Sequence, residues 1–443
     1  TQTGTPTFAG TTVQVNGEDK AITIKDNSYT LLDKDGNEVS TTPAYAADGT
    51  TVIGNFTIDP ANGQVTFTPT DKSYTGAVTP AKVQAESSNG IKVDTTYTPE
   101  IVPVTPTATS AETKDVQGAT QTGKPEFKGG TVTVDGVEKT VEINEDVPAT
   151  FDDGSTTKTV DGVGTYTVAA DGTVTFVPEK SFTGKAPAVT VVREDKNGTK
   201  ASATYTPTVT PVTPTATPAE STGPQGLVQT GIVTFTEGDE VAPINKDSIT
   251  LLDENGQPAS SVDAKSPAGD VIGTFTVDKE TGVVTFTPTD KSYSGDVVPV
   301  KVQAADTNGT TVETTYTPKI TPVVPTAEPA TSTDIQGQTQ TGTPSFTPGN
   351  PNVPMDDDTP ATFEDGSTTK TVPGEGTYTV APDGTVTFVP EKSFTGEGTG
   401  VTVKRVDKNG TPVTAKYTPT VTPVTPTATP ATSEAPQGVV QTG

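Results

Sequence analysis

The residues of this chain that could perform chemistry are almost all carboxylates. Its 443 residues include 55 Asp and Glu, but no His and no Cys. A Ser–His or Cys–His nucleophile, a thiolate metal site and a disulfide framework are therefore excluded. Paired carboxylates could hydrolyse glycosidic bonds, but a chain without Trp and with 5% aromatic residues gives no sign of a sugar-binding cleft. We predict that the protein is not an enzyme and has no catalytic residue and no cofactor.

Calcium binding is the most specific chemistry that the acidic residues offer. Asp33, Asp35 and Asn37 in "DKDGNE" have the spacing of oxygen ligands in a calcium loop, but the later bidentate Glu of an EF-hand is missing. A hairpin turn explains Asp-Gly equally well, so both interpretations stay open. The acidic clusters "MDDD" (Met355 to Asp358) and "DVPATFDDG" (Asp146 to Gly154) are interpreted as solvated loops, with weak cation binding as the alternative. We predict no metal site.

A lysine and an asparagine recur at fixed positions and raise the question of a covalent crosslink. An isopeptide bond would compensate for missing disulfides, but it needs a buried Asn beside a carboxyl group. The recurring Asn precedes a Gly in a turn, where we expect it to be exposed, so exposed loops are predicted for both residues. The lysines are Lys72, Lys180, Lys291 and Lys392, and the asparagines are Asn89, Asn197, Asn308 and Asn409. Sequons begin at Asn55, Asn197, Asn308 and Asn409, and the last three are interpreted as hairpin turns.

The composition favours disorder, and only the sequence pattern argues against it. Apolar residues make up 30% of the chain, which has 43 Gly, 40 Pro and a net charge of −27. This charge should repel nucleic acids and anionic membrane surfaces, and no apolar run approaches the length of a membrane span. We therefore predict neither nucleic acid, nor membrane, nor a small-molecule substrate as a partner.

The tripeptide QTG divides the chain into four units of about 110 residues, each long enough for a whole domain. It stands at Gln2–Gly4, Gln121–Gly123, Gln229–Gly231, Gln340–Gly342 and Gln441–Gly443. The predicted domains are 1–119, 120–228, 229–338 and 339–440, with 441–443 as the start of a further repeat. Since the chain begins without Met and ends in QTG, we expect it to be a fragment of a longer protein.

Shared landmarks within the units indicate short strands and turns. "DGTVTFVP" and its equivalents alternate large apolar residues with Thr at period two, which is typical of a half-buried strand. The recurring Asn-Gly step predicts a type I′ hairpin with positive φ at both positions. Four aromatic positions recur once in each unit. After QTG they are Phe8, Phe127, Phe235 and Phe346, and in the alternating strand they are Phe67, Phe176, Phe286 and Phe388. In the following loop they are Tyr74, Phe182, Tyr293 and Phe394, and at the end of the unit they are Tyr97, Tyr205, Tyr316 and Tyr417. We predict an all-β protein of four tandem Ig-like β-sandwich domains in an elongated array with Pro/Thr-rich links.

The four units are of two kinds in the order A-B-A-B. The first and third share "LLDKDGNE" or "LLDENGQP", whereas the second and fourth share "DGSTTKTV" and "GTYTVA". Alternation should reduce strand swapping between neighbours. Duplication of a two-domain block explains the order equally well.

The stretch "YTPTVTPV" that closes a unit is predicted to be its last strand. Prolines spaced by two put each missing N–H on the same side of a strand, which an edge strand tolerates. The stretch after it, "TPTATPAESTGPQGLV" (213–228), lacks large side chains and is predicted to be an extended, semi-rigid spacer.

With its QTG starts, its tandem period and the segment from Pro360 to Ala431, the chain resembles the CshA-type fibril repeats of streptococcal cell-wall adhesins. The resemblance covers all four units and is tightest in the second and fourth. It implies a secreted, virulence-associated surface protein that is anchored to peptidoglycan through a C-terminal region and displays a binding region elsewhere. Neither region is recognisable in these residues, so no ligand site carries over.

The resulting prediction is a non-enzymatic stalk that projects a distal binding region from the cell wall. Its partners are neighbouring repeats, while host or bacterial ligands are bound by other parts of the full-length protein. The alternative is that the repeats are themselves adhesive, and the nearest candidate for a binding patch is Lys404-Arg405, weakly matched by Arg193. We expect the chain to be an elongated monomer of independently folding domains.

Overall fold

The computed structural model describes all 443 residues and is built from strands and turns alone. It divides into two compact units, Thr1–Val212 and Thr213–Gly443, which are described separately. Each unit contains two repeats, and each repeat is a sandwich of two sheets. No helix long and apolar enough to cross a membrane occurs.

The first repeat contains two four-stranded sheets and a projecting hairpin. Its strands are β1 (Gln2–Gly4), β2 (Thr11–Val15), β3 (Glu18–Ile22), β4 (Thr30–Leu32), β5 (Glu38–Val39), β6 (Thr41–Tyr45), β7 (Val52–Ile58), β8 (Val65–Pro69), β9 (Ala81–Glu86) and β10 (Lys92–Tyr97). The sheets have the orders β1-β8-β7-β6 and β10-β9-β4-β5, and β2 pairs with β3.

The second repeat has the same layers and one additional strand that lies ahead of QTG. Its strands are β11 (Thr107–Thr109), β12 (Ala111–Val116), β13 (Gln121–Gly123), β14 (Glu126–Lys128), β15 (Gly130–Val134), β16 (Val137–Val141), β17 (Thr150–Phe151), β18 (Thr157–Val160), β19 (Gly164–Val168), β20 (Val174–Pro178), β21 (Gly184–Lys185), β22 (Val189–Glu194) and β23 (Lys200–Thr210). The sheets are β13-β20-β19-β18 and β12-β23-β22-β17, with β21 beside β23. The two short pairs are β11-β14 and β15-β16.

The third repeat opens the second unit. Its strands are β24 (Thr215–Thr217), β25 (Ala219–Pro224), β26 (Gln229–Ile232), β27 (Thr234–Thr236), β28 (Ile244–Leu252), β29 (Pro258–Ala259), β30 (Ser261–Lys265), β31 (Val271–Val277), β32 (Val283–Pro288), β33 (Gly295–Asp296), β34 (Val300–Asp306) and β35 (Thr311–Thr321). The sheets are β26-β32-β31-β30 and β25-β35-β34-β28-β29, with β33 beside β35, and β24 pairs with β27.

The fourth repeat follows the plan of the second without its projecting hairpin. Its strands are β36 (Thr326–Glu328), β37 (Ala330–Ile335), β38 (Gln340–Gly342), β39 (Ser345–Thr347), β40 (Thr362–Phe363), β41 (Thr369–Val372), β42 (Gly376–Val380), β43 (Val386–Pro390), β44 (Gly396–Glu397), β45 (Val401–Val406) and β46 (Pro412–Thr422). The sheets are β38-β43-β42-β41 and β37-β46-β45-β40, with β44 beside β46, and β36 pairs with β39. The four tandem β-sandwiches confirm the predicted fold class.

The prediction that residues 213–228 form only a spacer is wrong. The Pro/Thr-rich link is short, and Ala219–Pro224 is the strand β25, which runs parallel to β35. The strands β12 and β37 make the same parallel pairing with β23 and β46. We call β12, β25 and β37 the linking strands. They form because a strand nearly a hundred residues later supplies their partner, and local propensity does not show this.

The last strand of each repeat, here called the exit strand, is β10, β23, β35 or β46. The prediction of a strand at Tyr205 is confirmed, and the strand begins earlier, at Lys200. The prediction of a free edge is wrong, since β23 lies between β12 and β22. Pro207 has no N–H to donate. Its carbonyl faces the side of the short strand β21, where it accepts a bond from Ala186 N–H at 3.0 Å. The missing N–H falls on that same side, so the pairing with the linking strand is not interrupted and Pro207 is tolerated. Thr210 faces the linking strand instead, with its carbonyl 2.8 Å from Gln117 N.

Each repeat has its own apolar core between the two sheets. The predicted strand phenylalanines Phe67, Phe176, Phe286 and Phe388 are at most 1% exposed. Tyr205, Tyr316 and Tyr417 of the exit strands are also fully buried. Complete burial of an aromatic ring removes a large apolar area from water, so these residues define the register of both sheets.

The recurring Asn-Gly steps are not type I′ turns, which corrects the prediction. Only the glycine has positive φ, for example 84° at Gly198, and the preceding asparagine does not. The buried Asp195 carboxylate accepts the N–H groups of Asn197 and Thr199, both at 2.9 Å, and this fixes a three-residue turn. Type I′ geometry occurs instead in the projecting hairpins, at Asn16-Gly17 (54°, 84°) and Asp135-Gly136 (51°, 77°).

The two kinds of repeat differ by one strand. β5 and β29 extend a sheet of the first and third repeats, and no counterpart is present in the second and fourth. The sequence "LLDKDGNE" forms the β4–β5 hairpin.

Candidate functional site: the joint between repeats

The linking strand, QTG and the exit strand meet in a polar cluster within each of the last three repeats. In the second repeat, Thr113 Oγ1 lies 2.6 Å from Gln121 Oε1 and 2.7 Å from the Tyr205 hydroxyl. The amide Nε2 of Gln121 donates to the Thr208 carbonyl at 3.0 Å. We call this arrangement the Gln–Tyr cluster. It ties the linking strand to both sheets of the repeat that follows it.

The Gln–Tyr cluster recurs in the third and fourth repeats with serine in place of threonine. Ser221 contacts Gln229 at 2.8 Å and Tyr316 at 2.7 Å. Ser332 contacts Gln340 and Tyr417, both at 2.6 Å. Each cluster is buried at its glutamine and its tyrosine, so loss of one hydroxyl would leave polar groups unpaired away from water.

Burial and close packing explain the glycine of QTG and the behaviour of the tyrosine. A Cβ on Gly123 would overlap the Tyr205 ring, and the glycines of the other repeats face the same obstacle. Burial raises the pKa of the Tyr205 hydroxyl, which therefore stays protonated and can donate. QTG is thus a structural signature. Its glutamine takes part in the Gln–Tyr cluster, and its glycine leaves room for the tyrosine ring.

A second glutamine closes the end of each linking strand. Gln225 Nε2 donates to the Ser292 carbonyl at 2.6 Å, and its Oε1 accepts Val323 N–H at 3.1 Å. Gln117 makes the equivalent bonds in the second repeat, with Lys180 O at 2.8 Å and Val212 N at 3.2 Å. The chain leaving a repeat is therefore held by the segment that entered it.

The third and fourth repeats touch through this second glutamine. Asn409 Nδ2 donates to the Gln225 carbonyl at 2.7 Å, and Asn409 is only 9% exposed. Gly226 has a φ of 78°, and a Cβ there would overlap the Asn409 side chain. The prediction of an exposed asparagine is therefore wrong for Asn409, because the Asn-Gly turn of one repeat docks on the Gln-Gly turn of the preceding repeat.

The predicted calcium-loop residues form a hydrogen-bonded hairpin turn. Asp33 Oδ1 accepts the N–H groups of Asp35 and Asn37 at 2.9 and 2.8 Å, and Oδ2 accepts Asn37 Nδ2 at 3.1 Å. The bond from Asn37 N–H is the main cause that lowers the Asp33 pKa. No group of three or more acidic side chains in the chain has an arrangement that could hold a metal ion. The geometry thus favours the hairpin interpretation.

Ion pairs join Arg405 of the predicted basic pair, and also Lys408, to the acidic cluster at Asp356–Asp358. Arg405 pairs with Asp357 at 2.7 Å and lies over the Phe346 ring, while Lys408 contacts Asp356 and Asp358. The hydrogen bond from Lys408 lowers the Asp356 pKa to about 2. Arg193 similarly pairs with Glu145 at 2.9 Å and is 8% exposed. These cations are engaged within their own repeats and form no open basic patch.

The recurring lysines lie in exposed loops, as predicted. Lys72, Lys180, Lys291 and Lys392 are all exposed. The main chain of this loop, and not the lysine side chain, contacts the linking strand. In the fourth repeat Gln336 Nε2 donates to the Lys392 main-chain carbonyl at 2.9 Å. The loop therefore serves as a socket for the end of the linking strand.

Sequence reasoning missed the Gln–Tyr cluster, although one signal for it was present. A Ser or Thr stands eight residues before each glutamine of QTG after the first, at Thr113, Ser221, Ser332 and Ser433. This fixed spacing inside a stretch interpreted as spacer could have indicated a structural role.

The fold and the joints define a class of protein, a tandem array of β-sandwich repeats in which each linking strand completes the next repeat. Comparison with protein families gives a match to the surface adhesin CshA repetitive domain at residues 1–101, 103–209, 211–320 and 322–421. The chain belongs to this family. It is a family of cell-surface adhesin repeats and is not known to be catalytic.

Several solved structures show a weak overall likeness. Mouse cadherin-23 EC22-24 is 14% identical, with 73% of this chain and 100% of that chain covered at a TM-score of 0.30. The protocadherin gammaB7 EC3-6 cis-dimer structure is 12% identical, with 94% and 96% covered and a TM-score of 0.30. The titin I9-I11 tandem is 10% identical, with 72% and 98% covered and a TM-score of 0.27. No curated protein matched the sequence.

Proposed function

We propose that the four repeats are a stalk segment of a peptidoglycan-anchored fibrillar adhesin and hold a distal binding region away from the cell wall. The observation that carries this proposal is the linking strand. The residues between two sandwiches are committed to strand pairing in the second of them, so only a short Pro/Thr-rich link stays outside both. Few residues are then left to act as a flexible hinge.

The docked turns support the same role. Asn409 donates to the main-chain carbonyl of Gln225, and the side chain of Gln225 is bonded to the socket loop at Ser292 and to Val323 N–H just after the exit strand. A spacer that transmits position needs such contacts between neighbours, because a chain of freely jointed domains would collapse towards a random coil. The net charge of −27 also opposes lateral aggregation of neighbouring fibrils.

The proposal is tested by varying the number of repeats on a bacterial surface. An epitope-tagged adhesin carrying all four repeats is compared with one that lacks residues 213–443, and the height of the tag above the wall is measured by immunogold electron microscopy. We expect the tag to lie closer to the wall in the adhesin that lacks residues 213–443, while the tag stays accessible to antibody. A matched control replaces residues 213–443 with a Gly/Ser-rich linker of equal length, which should give a lower height than the native repeats.

Direct adhesion by the repeats is the competing outcome. The purified chain, added in excess, should not block attachment of the tagged bacteria if the repeats only project the binding region. Complete inhibition by the purified chain, together with unchanged tag height, would reject the stalk in favour of adhesive repeats.

A further inference from the structure

Seven asparagines of the chain are followed directly by glycine, and the fold treats one of them differently from the others. They are Asn16, Asn62, Asn89, Asn197, Asn255, Asn308 and Asn409. We propose that Asn16 is a site of spontaneous modification, at which the side-chain amide is lost, and that the fold protects the other six. This inference does not depend on the stalk role.

The reaction needs only the main chain and water. The nitrogen of the glycine, which has no side chain to hinder it, gives its proton to solvent and bonds to the asparagine Cγ. The Cγ–Nδ2 bond breaks and ammonia leaves, so that a cyclic imide remains. One water molecule then opens the imide to aspartate or isoaspartate. Access of the glycine nitrogen to its own asparagine therefore decides which step reacts.

Hydrogen bonding of the glycine N–H separates Asn16 from the other six asparagines. The N–H groups that donate to a main-chain carbonyl of their own turn, at 2.8–3.0 Å, are those of Gly63, Gly90, Gly198, Gly256, Gly309 and Gly410. Each of these bonds must break before the nitrogen can attack. The N–H of Gly17 has no such acceptor. In this two-residue turn Val15 and Glu18 form the closing pair, and the nitrogen between them faces solvent.

The hairpin that carries Asn16 can also open at low cost. Its strands β2 and β3 pair only with each other, and residues 11–21 are all exposed. A two-stranded hairpin that packs on nothing else is marginally stable in water. Opening releases Asn16 from its φ of 54°, a region that non-glycine residues seldom occupy, and lets the side chain approach the Gly17 nitrogen.

The second repeat shows that this exposure belongs to the hairpin itself. Asp135-Gly136 occupies the same turn, follows a complete repeat, and is exposed as well, and the Gly136 N–H again has no acceptor. Asp135 is also the residue that loss of the amide would leave, and the turn keeps its type I′ geometry. The aspartate product should therefore leave the first hairpin intact. Isoaspartate adds a methylene to the main chain, which a two-residue turn does not accommodate, so this product should open the hairpin.

Asn409 at the docked joint is the opposite case. Its Nδ2 donates to the Gln225 carbonyl at 2.7 Å, and the Gly410 N–H donates to the Asp407 carbonyl at 2.9 Å. Both the leaving amide and the attacking nitrogen are thus held in place. A carboxylate at this position would face the Gln225 carbonyl without a proton to donate and would weaken the joint. The fold therefore protects the amide that joins two repeats and leaves the reactive step in a projecting hairpin.

The experiment incubates the intact chain in mildly alkaline buffer and measures the conversion of each asparagine by peptide mass spectrometry. Asn16 should be converted about tenfold faster than Asn255. Asn255 is the matched control, because it is equally exposed in a turn while the Gly256 N–H donates to the Asp253 carbonyl at 2.9 Å. In denaturant the turns are lost, and the two rates should become nearly equal.

Asp135→Asn tests whether the turn geometry is responsible. It places a second Asn-Gly step in the hairpin of the second repeat, and this step should react about as fast as Asn16. Equal rates for Asn16 and Asn255 in the folded protein would overturn the proposal. An advantage of Asn16 that persists in denaturant would assign the reactivity to neighbouring residues and would overturn it too, as would an unreactive asparagine in Asp135→Asn.

Discussion

At the scale of single residues, the fourth repeat has a buried carboxylate, Glu375, at a position that is occupied by Val163 in the second repeat. Glu375 is 6% exposed and accepts the N–H and hydroxyl of Thr399, at 2.9 and 2.6 Å, as well as the Tyr378 hydroxyl. In the second repeat the position of Thr399 is taken by Pro187, which has no N–H, and the Tyr166 hydroxyl donates to the Pro187 carbonyl at 2.7 Å. The buried tyrosine hydroxyl is thus given an acceptor in both repeats, by Glu375 beside Thr399 in the fourth and by the Pro187 carbonyl beside Val163 in the second.

The matched pairs predict a compensating double substitution. Glu375→Val alone leaves the Thr399 and Tyr378 donors unpaired, which should cost about 1–3 kcal/mol of unfolding free energy for each buried group. Adding Thr399→Pro removes the orphaned N–H and restores the arrangement of the second repeat, so the double variant should recover most of that stability. Thermal unfolding of the four proteins in the cycle measures the coupling. Additive losses would show that the two positions are independent.

The same carboxylate makes the fourth repeat sensitive to acid. Burial raises the Glu375 pKa, but the hydrogen bonds from Thr399 and Tyr378 outweigh it and bring the pKa below its ordinary value of 4.5. Because the folded-state pKa is the lower one, this stabilisation is complete above pH 4.5 and is lost as the pH falls through the lowered value. The unfolding midpoint of the fourth repeat should therefore drop on acidification, and less so in Glu375→Gln. An equal drop in both proteins would assign the effect to other acidic residues.

At the scale of elements, the linking strand depends on one hydroxyl. Ser221→Val should destabilise the third repeat by about 1–3 kcal/mol, since Gln229 and the buried Tyr316 hydroxyl both lose their partner. Thr222 is the matched control, because it follows Ser221 on the same strand, is exposed, and takes no part in the contacts with Gln229 and Tyr316. Chemical denaturation of the two variants, monitored by repeat-resolved NMR, makes the comparison. Equal effects of Ser221→Val and Thr222→Val would contradict a role for the Gln–Tyr cluster.

Elements with local signals could be predicted from the sequence, and the linking strands could not. The alternation around Phe176 and Phe388 identified strands that are buried as expected, because period two is visible in the sequence itself. In contrast, "TPTATPA" forms β24 and begins β25 at 213–219. The strand β25 is paired with the distant exit strand β35, and this partner is not visible in the local sequence. The docked Asn409 was missed for the same reason, since its partner Gln225 is 184 residues away.

At the scale of the whole molecule, the turn contact changes how repeats share stability. Independent folding was expected from the spacer, but the fourth repeat holds the Gln225 carbonyl of the third through Asn409. Loss of a buried hydrogen bond of this kind typically costs about 0.5–1.5 kcal/mol. For domains of about 100 residues, 1 kcal/mol corresponds to a shift of about 4–8 °C in the unfolding midpoint. Neighbouring repeats within this unit should therefore be measurably coupled.

Phe388→Ala tests this coupling from the core of the fourth repeat. Phe388 is fully buried and stacks on Tyr378 with ring centroids 4.4 Å apart, so its truncation should cost about 3–5 kcal/mol and unfold that repeat. The third repeat should stay folded but melt at a lower temperature, because unfolding of its neighbour releases Asn409 from Gln225. Asn409→Ala should lower the third-repeat midpoint by a similar amount while the fourth repeat stays folded. Asn255→Ala, in an exposed Asn-Gly turn of the third repeat, is the matched control and should change neither midpoint. Thermal unfolding followed by repeat-resolved NMR measures these midpoints. If the third repeat of Phe388→Ala melts at its native temperature, the docked turn contributes no stability. The repeats would then be independent, as the sequence alone suggests.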